Sequence, residues 1–87
     1  MFIYKYQLEL TGTQTISINR NARLLSVQIQ NDVITVWAMV DIKQPKENRC
    51  FYIVGTGCDA TYMIDKLYVG TVQNSSFVWH IFTTKDN

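Results

Sequence analysis

Apolar and polar residues alternate along the start of the chain. The even positions hold Phe2, Tyr4, Tyr6, Leu8 and Leu10, and the odd positions between them hold Ile3, Lys5, Gln7 and Glu9. A period of two residues is typical of a β-strand with one buried face. The pattern therefore predicts a strand over residues 2–10.

A second strand is predicted over residues 13–18, after Gly12. A two-residue loop between these strands would mix apolar and polar faces, whereas a three-residue loop pairs Leu8 with Ile16 and Tyr6 with Ile18. We therefore predict a bulged hairpin in which Gly12 takes the left-handed conformation.

The middle of the chain predicts a second hairpin. Its strands are expected at residues 24–30 and 33–41, with a turn at residues 31–32 between them. The Asn-Asp turn suits positive φ angles, and the resulting register sets Val27 opposite Val36 and Leu25 opposite Ala38. One face of this hairpin is then wholly apolar, and Trp37 falls on the other, mainly polar face.

The remaining pattern predicts a charged loop, a short strand, an irregular stretch and a final hairpin. The charged loop is expected at residues 43–49 and the short strand at 50–54. The irregular stretch covers 55–66, with one helical turn within 60–64, and the final hairpin pairs 67–73 with 76–83. A turn at Asn74-Ser75 would pair Gly70 with Trp79 and Tyr68 with Ile81. Both faces of this hairpin are apolar, which indicates burial on two sides or against another subunit.

Composition agrees with an all-β fold. Val, Ile and Thr together number 26, whereas Ala, Leu and Glu number 10, so helices should be minor. We predict one domain over residues 1–87: a small antiparallel β-sandwich or a partly closed barrel of six to seven strands, with at most one short helical turn. The 47% hydrophobic content excludes disorder, and no leader or membrane span is expected. With a formal net charge of +1, a general attraction to nucleic acid is not indicated.

Few side chains are candidates for catalysis or metal binding. The cysteines are Cys50 and Cys58, the histidine is His80, and neither Cys-x-x-Cys nor His-x-x-x-His spacing occurs. We therefore expect reduced thiols, no metal site and no cofactor. His80 is interpreted as a packed or partner-contacting residue rather than a general base, because no nucleophile or orienting acid is assigned beside it. The protein is expected not to be an enzyme.

Two sets of residues are candidates for binding. The first is a partner-binding set of aromatic residues with a basic rim, made of Trp37, Phe77, Trp79 and His80 with Arg20, Arg23, Lys43 and Lys46. The second is a ligand loop, made of Gly55, Thr56, Gly57, Asp59 and Tyr62. In this loop Gly55-Thr56-Gly57 could form a backbone nest for a phosphate, although a turn that ends a strand is the preferred interpretation.

Several segments in order resemble a family of small bacteriophage proteins. They include Tyr4-Lys5-Tyr6, Leu24 to Gln30, Ile53 to Gly57, Tyr68 to Thr71 and Phe77 to Phe82. This family of about 80 to 90 residues is encoded in tailed phages and prophages and has no known function. Asn21 and Cys58 stand where the family is expected to have Gly and His. The resemblance implies a phage origin and the cytoplasm of an infected bacterial host.

Three functions remain open. The first is a non-catalytic binding protein that inhibits a host antiviral defence system by covering a host protein surface. The alternatives are an oligomer that sequesters a small nucleotide signal and a minor virion or assembly protein. A homo-oligomer is expected, and neither a membrane nor a nucleic acid is an expected partner.

Overall fold

A computed structural model describes residues 1–84, which form seven antiparallel strands and one 3-10 turn. The elements are β1 (Phe2–Leu8), β2 (Thr13–Asn19), β3 (Arg23–Gln30), β4 (Val33–Val40), β5 (Lys46–Gly55), the 3-10 turn Thr61–Met63, β6 (Leu67–Asn74) and β7 (Phe77–Thr83). The strands form a sandwich of two sheets, so the all-β prediction is confirmed in its sandwich form. Within residues 1–84, no helix is long and apolar enough to cross a membrane.

The three-stranded sheet has the order β1-β4-β3, and the four-stranded sheet has the order β2-β5-β7-β6. The predicted hairpin of β1 with β2 is therefore wrong. Leu8 lies opposite Ile34 rather than Ile16, because residues 9–12 carry the chain from one sheet to the other. The side-chain amide of Gln14 holds this crossing by donating to the backbone oxygen of Glu9 (2.7 Å) and accepting from its N–H (2.9 Å).

The glycine of this crossing also differs from the prediction. Gly12 does not have a positive φ. Its carbonyl oxygen accepts a hydrogen bond from the N–H of Ile53 (3.2 Å), which attaches the crossing to β5. A left-handed residue is not required, because the chain does not reverse into a tight hairpin here.

The hairpin of β3 and β4 largely follows the prediction. Val27 lies opposite Val36, and Asn31 and Asp32 both have positive φ (52° and 64°). A bulge after Leu24 shifts the register, so that Leu24 rather than Leu25 lies opposite Ala38. Leu25 is consequently 44% exposed, and its predicted pairing is wrong.

The final hairpin has the predicted strands but a register displaced by two residues. Val72 lies opposite Trp79 and Gly70 opposite Ile81, and Ser75 turns the chain with φ 60°. From Gly70 onward this displacement of two keeps every side chain on its predicted face. A bulge between Tyr68 and Gly70 sets Tyr68 opposite Phe82, so its predicted pairing with Ile81 is wrong, and its ring contacts Phe82 on the face that holds Thr71. The predicted cover of Gly70 by Trp79 is also wrong, since an ideal Cβ on Gly70 would lie 2.5 Å from Cγ1 of Val27 in the opposite sheet.

Arg49 contradicts the predicted exposed loop at 43–49, because β5 already begins at Lys46. Arg49 is only 6% exposed, and its guanidinium donates to Oγ1 of Thr83 (3.2 Å) and to the carbonyl oxygen of Ala22 (3.1 Å). The hydrophobic core lies between the two sheets and draws residues from both. Its main cluster consists of Leu8, Val27, Ile34, Val36, Phe51, Ile53, Val72 and Ile81.

Candidate functional site

The start of β7 and the end of β5 form a cleft that brings together some residues of each predicted binding set. Gly55 pairs with Trp79 in the sheet, which places the loop after β5 beside the aromatic residues of β7. We call the resulting cavity, of about 450 Å³, the aromatic cleft; it is lined by Gly55, Thr56, Cys58, Ser76, Phe77, Val78 and Trp79.

Two stacked rings dominate the aromatic cleft. Phe77 and Trp79 are two residues apart on one strand, so both side chains lie on the same face. Their ring centroids are 5.7 Å apart with an interplanar angle of 15°. Phe77 is 60% exposed, whereas Trp79 packs partly against the main core cluster. The pair therefore presents an apolar surface to solvent on a base that the core supports.

Gly55 permits the position of Trp79. An ideal Cβ on Gly55 would lie 3.1 Å from Cζ3 of Trp79, closer than an ordinary carbon contact. The indole therefore rests against the backbone of β5. This contact restricts the ring on the side of the neighbouring strand.

Trp79 also lines a second cavity, of about 380 Å³. The other residues around it are Leu8, Glu9, Leu10, Asp32, Val33, Ile34 and Asn74. Two of them, Glu9 and Asp32, are acidic, whereas the aromatic cleft has no acidic lining residue. A partner that covers Trp79 could therefore contact a neutral apolar surface and an acidic one together.

His80 lies on the opposite face of β7 from Trp79 and belongs to a chain of hydroxyl contacts. Its Nε2 is hydrogen-bonded to Oγ1 of Thr56 (2.8 Å) and its Nδ1 to Oγ1 of Thr71 (3.0 Å). The hydroxyl of Tyr68 is in turn hydrogen-bonded to Thr71. A neutral imidazole has one donor and one acceptor nitrogen, so the two threonines satisfy both. This arrangement holds the ring between β6, β7 and the loop after β5.

The ligand-loop residues do not all reach the aromatic cleft. Gly55 and Thr56 line it, whereas Gly57, Asp59 and Tyr62 do not. The N–H groups of Thr56 and Cys58 donate to the carbonyl oxygens of Val78 and Gly55, at 3.2 and 3.1 Å. These amides are engaged inside the protein, so this segment has the geometry of a turn.

Asp59 stabilises the following 3-10 turn. Its Oδ1 accepts from Oγ1 of Thr61 at 2.6 Å and from the N–H of Thr61 at 2.9 Å. These hydrogen bonds favour the carboxylate and hold the pKa of Asp59 below its ordinary value. Its role in this conformation is to shape the loop.

The four basic residues lie away from the aromatic cleft. The N–H of Arg20 donates to the carbonyl oxygen of Pro45 (2.8 Å), and Asn19 pairs with Lys46, so the two basic loops do adjoin. Lys46 begins β5 and Gly55 ends it, a separation of about 30 Å at the ordinary strand rise. Arg23 lines a third cavity with Arg49, and Lys43 donates from its N–H to Oδ1 of Asp41 (3.0 Å).

Trp37 occupies a separate surface. Its neighbours Val36 and Ala38 are fully buried, so its own side chain points outward from the three-stranded sheet, where Lys5 and Ser26 flank it. The structure thus brings Phe77 and Trp79 together, places His80 behind them on the opposite face of β7, and places Trp37 and the basic residues elsewhere.

The comparisons with known proteins identify the family and no activity. Residues 1–87 match the family model described as a domain of unknown function, DUF7352. The chain belongs to the DUF7352 family. No curated protein and no solved structure matches it.

Sequence reasoning missed three lining residues of the aromatic cleft: Cys58, Ser76 and Val78. Cys58 follows the ligand loop directly, and Ser76 and Val78 flank Phe77 in sequence. The cleft forms only because β5 pairs with β7. These strands are separated in sequence by β6, so no turn in the sequence indicates that they pair. In the described part of this DUF7352 chain, both cysteines are free thiols, and no group of three His, Cys, Asp or Glu side chains could hold a metal ion.

Proposed function

We propose that this DUF7352 protein is a small, phage-encoded, non-catalytic binding protein that covers a surface of a host antiviral defence protein. The observation that carries the proposal is the exposed Phe77 ring stacked on the core-supported Trp79. The phage origin rests on the resemblance of the sequence. That origin motivates a host defence protein as the target. Inhibition by covering a surface suits a small β-sandwich, because it needs no catalytic group.

The stacked pair has the character of an interface anchor. Phe77 is 60% exposed, which for an aromatic side chain is on the order of 100 Å² of surface. Covering that area contributes about 2–3 kcal/mol at the usual coefficient for apolar burial. Residues that contribute this much dominate protein interfaces, and aromatic rings are common among them.

The site is also held in place before a partner arrives. Gly55 lets Trp79 rest on the backbone of β5, and Thr56, which also lines the cleft, is held by its hydrogen bonds to the carbonyl oxygen of Val78 and to Nε2 of His80. Restricting these side chains on binding therefore costs little additional entropy. Such a surface suits recognition by shape.

Affinity capture with matched variants tests this proposal. The bait is the full chain, compared with Phe77→Ser and with Tyr62→Ser, which removes another exposed aromatic ring outside the cleft. From lysate of an infected bacterial host, we expect wild type and Tyr62→Ser to retain the same defence protein, and Phe77→Ser to lose it. Equal retention by all three baits, or capture of no host protein, would contradict the proposal.

A second candidate function is sequestration of a small nucleotide signal. The aromatic cleft, at about 450 Å³, has the size of a small-molecule site, and its rings offer faces on which a base can stack. Thermal denaturation with a panel of cyclic nucleotides separates this candidate from the first, because a tight ligand must raise the Tm. An unchanged Tm across the panel rejects it.

A further inference from the structure

The four sheet edges of the sandwich are not equally protected. The edge strands are β1 and β3 in one sheet and β2 and β6 in the other. Bulges interrupt β3 and β6, and β2 consists mainly of polar residues. Bulges are an ordinary means by which edges avoid pairing with other chains, and a mainly polar edge offers little apolar surface to bury in such a pairing. Of these four edge strands, only β1 has neither a bulge nor a mainly polar sequence.

The β1 edge is long, regular and apolar. It pairs with β4 over seven residues without a bulge and contains no proline. Phe2, Ile3 and Tyr4 are 48%, 61% and 43% exposed. The one charged residue of β1, Lys5, directs its ammonium to Oε1 of Gln30 in β3 (2.8 Å), which lies beyond β4 and away from the free edge.

We propose that the β1 edge pairs antiparallel with β1 of a second copy of this chain, about a two-fold axis at Tyr4. The two three-stranded sheets then form one continuous sheet of six strands. In this register Phe2 faces Tyr6 of the partner subunit, and Ile3 faces Lys5 of the partner subunit. An axis at Lys5 would instead set two positively charged side chains at directly opposite positions, which disfavours that register.

The side chains of β1 are self-complementary about this axis. Phe2 and Tyr4 are stacked, with centroids 5.8 Å apart, and Tyr6 lies on the same face of the strand. Pairing would bring the aromatic residues of both copies together on one face of the joined sheet. On the other face, Ile3 would cover the aliphatic stem of Lys5 from the partner.

The area indicates a weak, concentration-dependent dimer. Phe2 and Tyr4 each expose on the order of 100 Å². With Ile3 and the strand backbone, the two copies together would bury on the order of 1,000 Å², at the lower limit for a specific interface. The dimer should therefore form and dissociate within an accessible concentration range.

Sedimentation equilibrium of the full chain, from micromolar to millimolar concentration, tests the dimer and its register. Ile3→Lys places a like charge opposite Lys5 at two symmetric positions, so we expect dimerisation about 10-fold weaker (roughly 2- to 30-fold). Ile3→Glu places an opposite charge there and should strengthen dimerisation. Ile64→Lys and Ile64→Glu, at a residue that is 90% exposed, are the charge-matched controls and should leave it unchanged.

Hydrogen exchange of the wild-type chain provides a test that needs no variant. Backbone amides of β1 should exchange more slowly at high than at low protein concentration, and those of the β2 edge should not. A monomer throughout the concentration range would overturn the proposal. So would Ile3→Lys and Ile3→Glu shifting dimerisation in the same direction, or β1 exchange that is independent of concentration.

Discussion

Gly70 is the position where the two sheets leave no room for a methyl group. A Cβ there would lie 2.5 Å from Cγ1 of Val27, about 1–1.5 Å closer than the usual carbon contact of about 3.5–4.0 Å. Such overpacking destabilises the folded state by about 1–3 kcal/mol. Alanine also lowers the conformational entropy of the unfolded chain relative to glycine, which offsets about 0.4–1 kcal/mol of this loss. We therefore expect Gly70→Ala to lower the free energy of unfolding by roughly 1–2 kcal/mol.

The partner of the contact supplies a sharper test. The same Cβ would lie 3.9 Å from Cβ of Val27, an ordinary contact, so the overlap disappears once Cγ1 is removed. Val27→Ala alone deletes two methyl groups from a buried site and should cost about 1–3 kcal/mol. In that background Gly70→Ala should cost nothing further, because its methyl group enters the vacated space.

A double-mutant cycle measures this coupling. It compares the free energy of unfolding in urea for the wild type, the two single variants and the double variant. We expect a coupling free energy of about −1 to −2 kcal/mol, where an uncoupled pair would add within about 0.5 kcal/mol. Gly12→Ala is the control, since an added Cβ meets nothing within 4 Å there. An additive cycle, or equal destabilisation by Gly12→Ala and Gly70→Ala, would refute the close approach of β3 and β6.

Three further predictions concern individual contacts. Arg49→Ala should lower the free energy of unfolding by roughly 1–3 kcal/mol in urea denaturation, because the buried carbonyl oxygen of Ala22 loses its charged donor. Gly57→Ala should destabilise by about 1–2 kcal/mol in the same assay, since Gly57 has φ 89° and alanine is strained there. In an NMR titration the carboxyl of Asp59 should have a pKa below its ordinary value, and Thr61→Val should raise that pKa because the hydrogen bond from the Thr61 hydroxyl is lost. Because the pKa of Asp59 is lowered in the folded state, its contribution to stability is present above the unfolded pKa and is lost as the pH falls through the folded pKa.

Alternation along the chain predicts strands and their faces well but does not identify their partners. The face of β1 that holds Leu8 fits β2 and β4 equally, because both offer apolar residues at a period of two. Short connections favour hairpins, and this preference led to the wrong pairing. By contrast, Asn31-Asp32 identifies its turn chemically, and the predicted hairpin there is confirmed apart from its bulge.

The register of the final hairpin shows a related limit. For residues 70–74 a displacement of two leaves the faces unchanged, so hydrophobic patterning cannot distinguish the two registers there, and it gives no sign of the bulge that moves Tyr68 to the other face. The pattern therefore predicts correctly that Phe77 and Trp79 share one face, but it predicts Gly70 rather than Val72 as the residue opposite Trp79. The aromatic cleft depends on Gly55 lying beside Trp79, a contact between strands distant in sequence, so it could not be predicted from local patterns.

The separation of β1 and β2 into different sheets has a consequence for folding. Among residues 1–84, the hairpins β3-β4 and β6-β7 join consecutive strands, whereas β1-β4, β2-β5 and β5-β7 join strands that are distant along the chain. Closing the long segments between distant strands costs entropy before their contacts form. We therefore expect the two hairpins to form early and β1 and β2 to join late, with the slow kinetics of a fold built on non-local contacts.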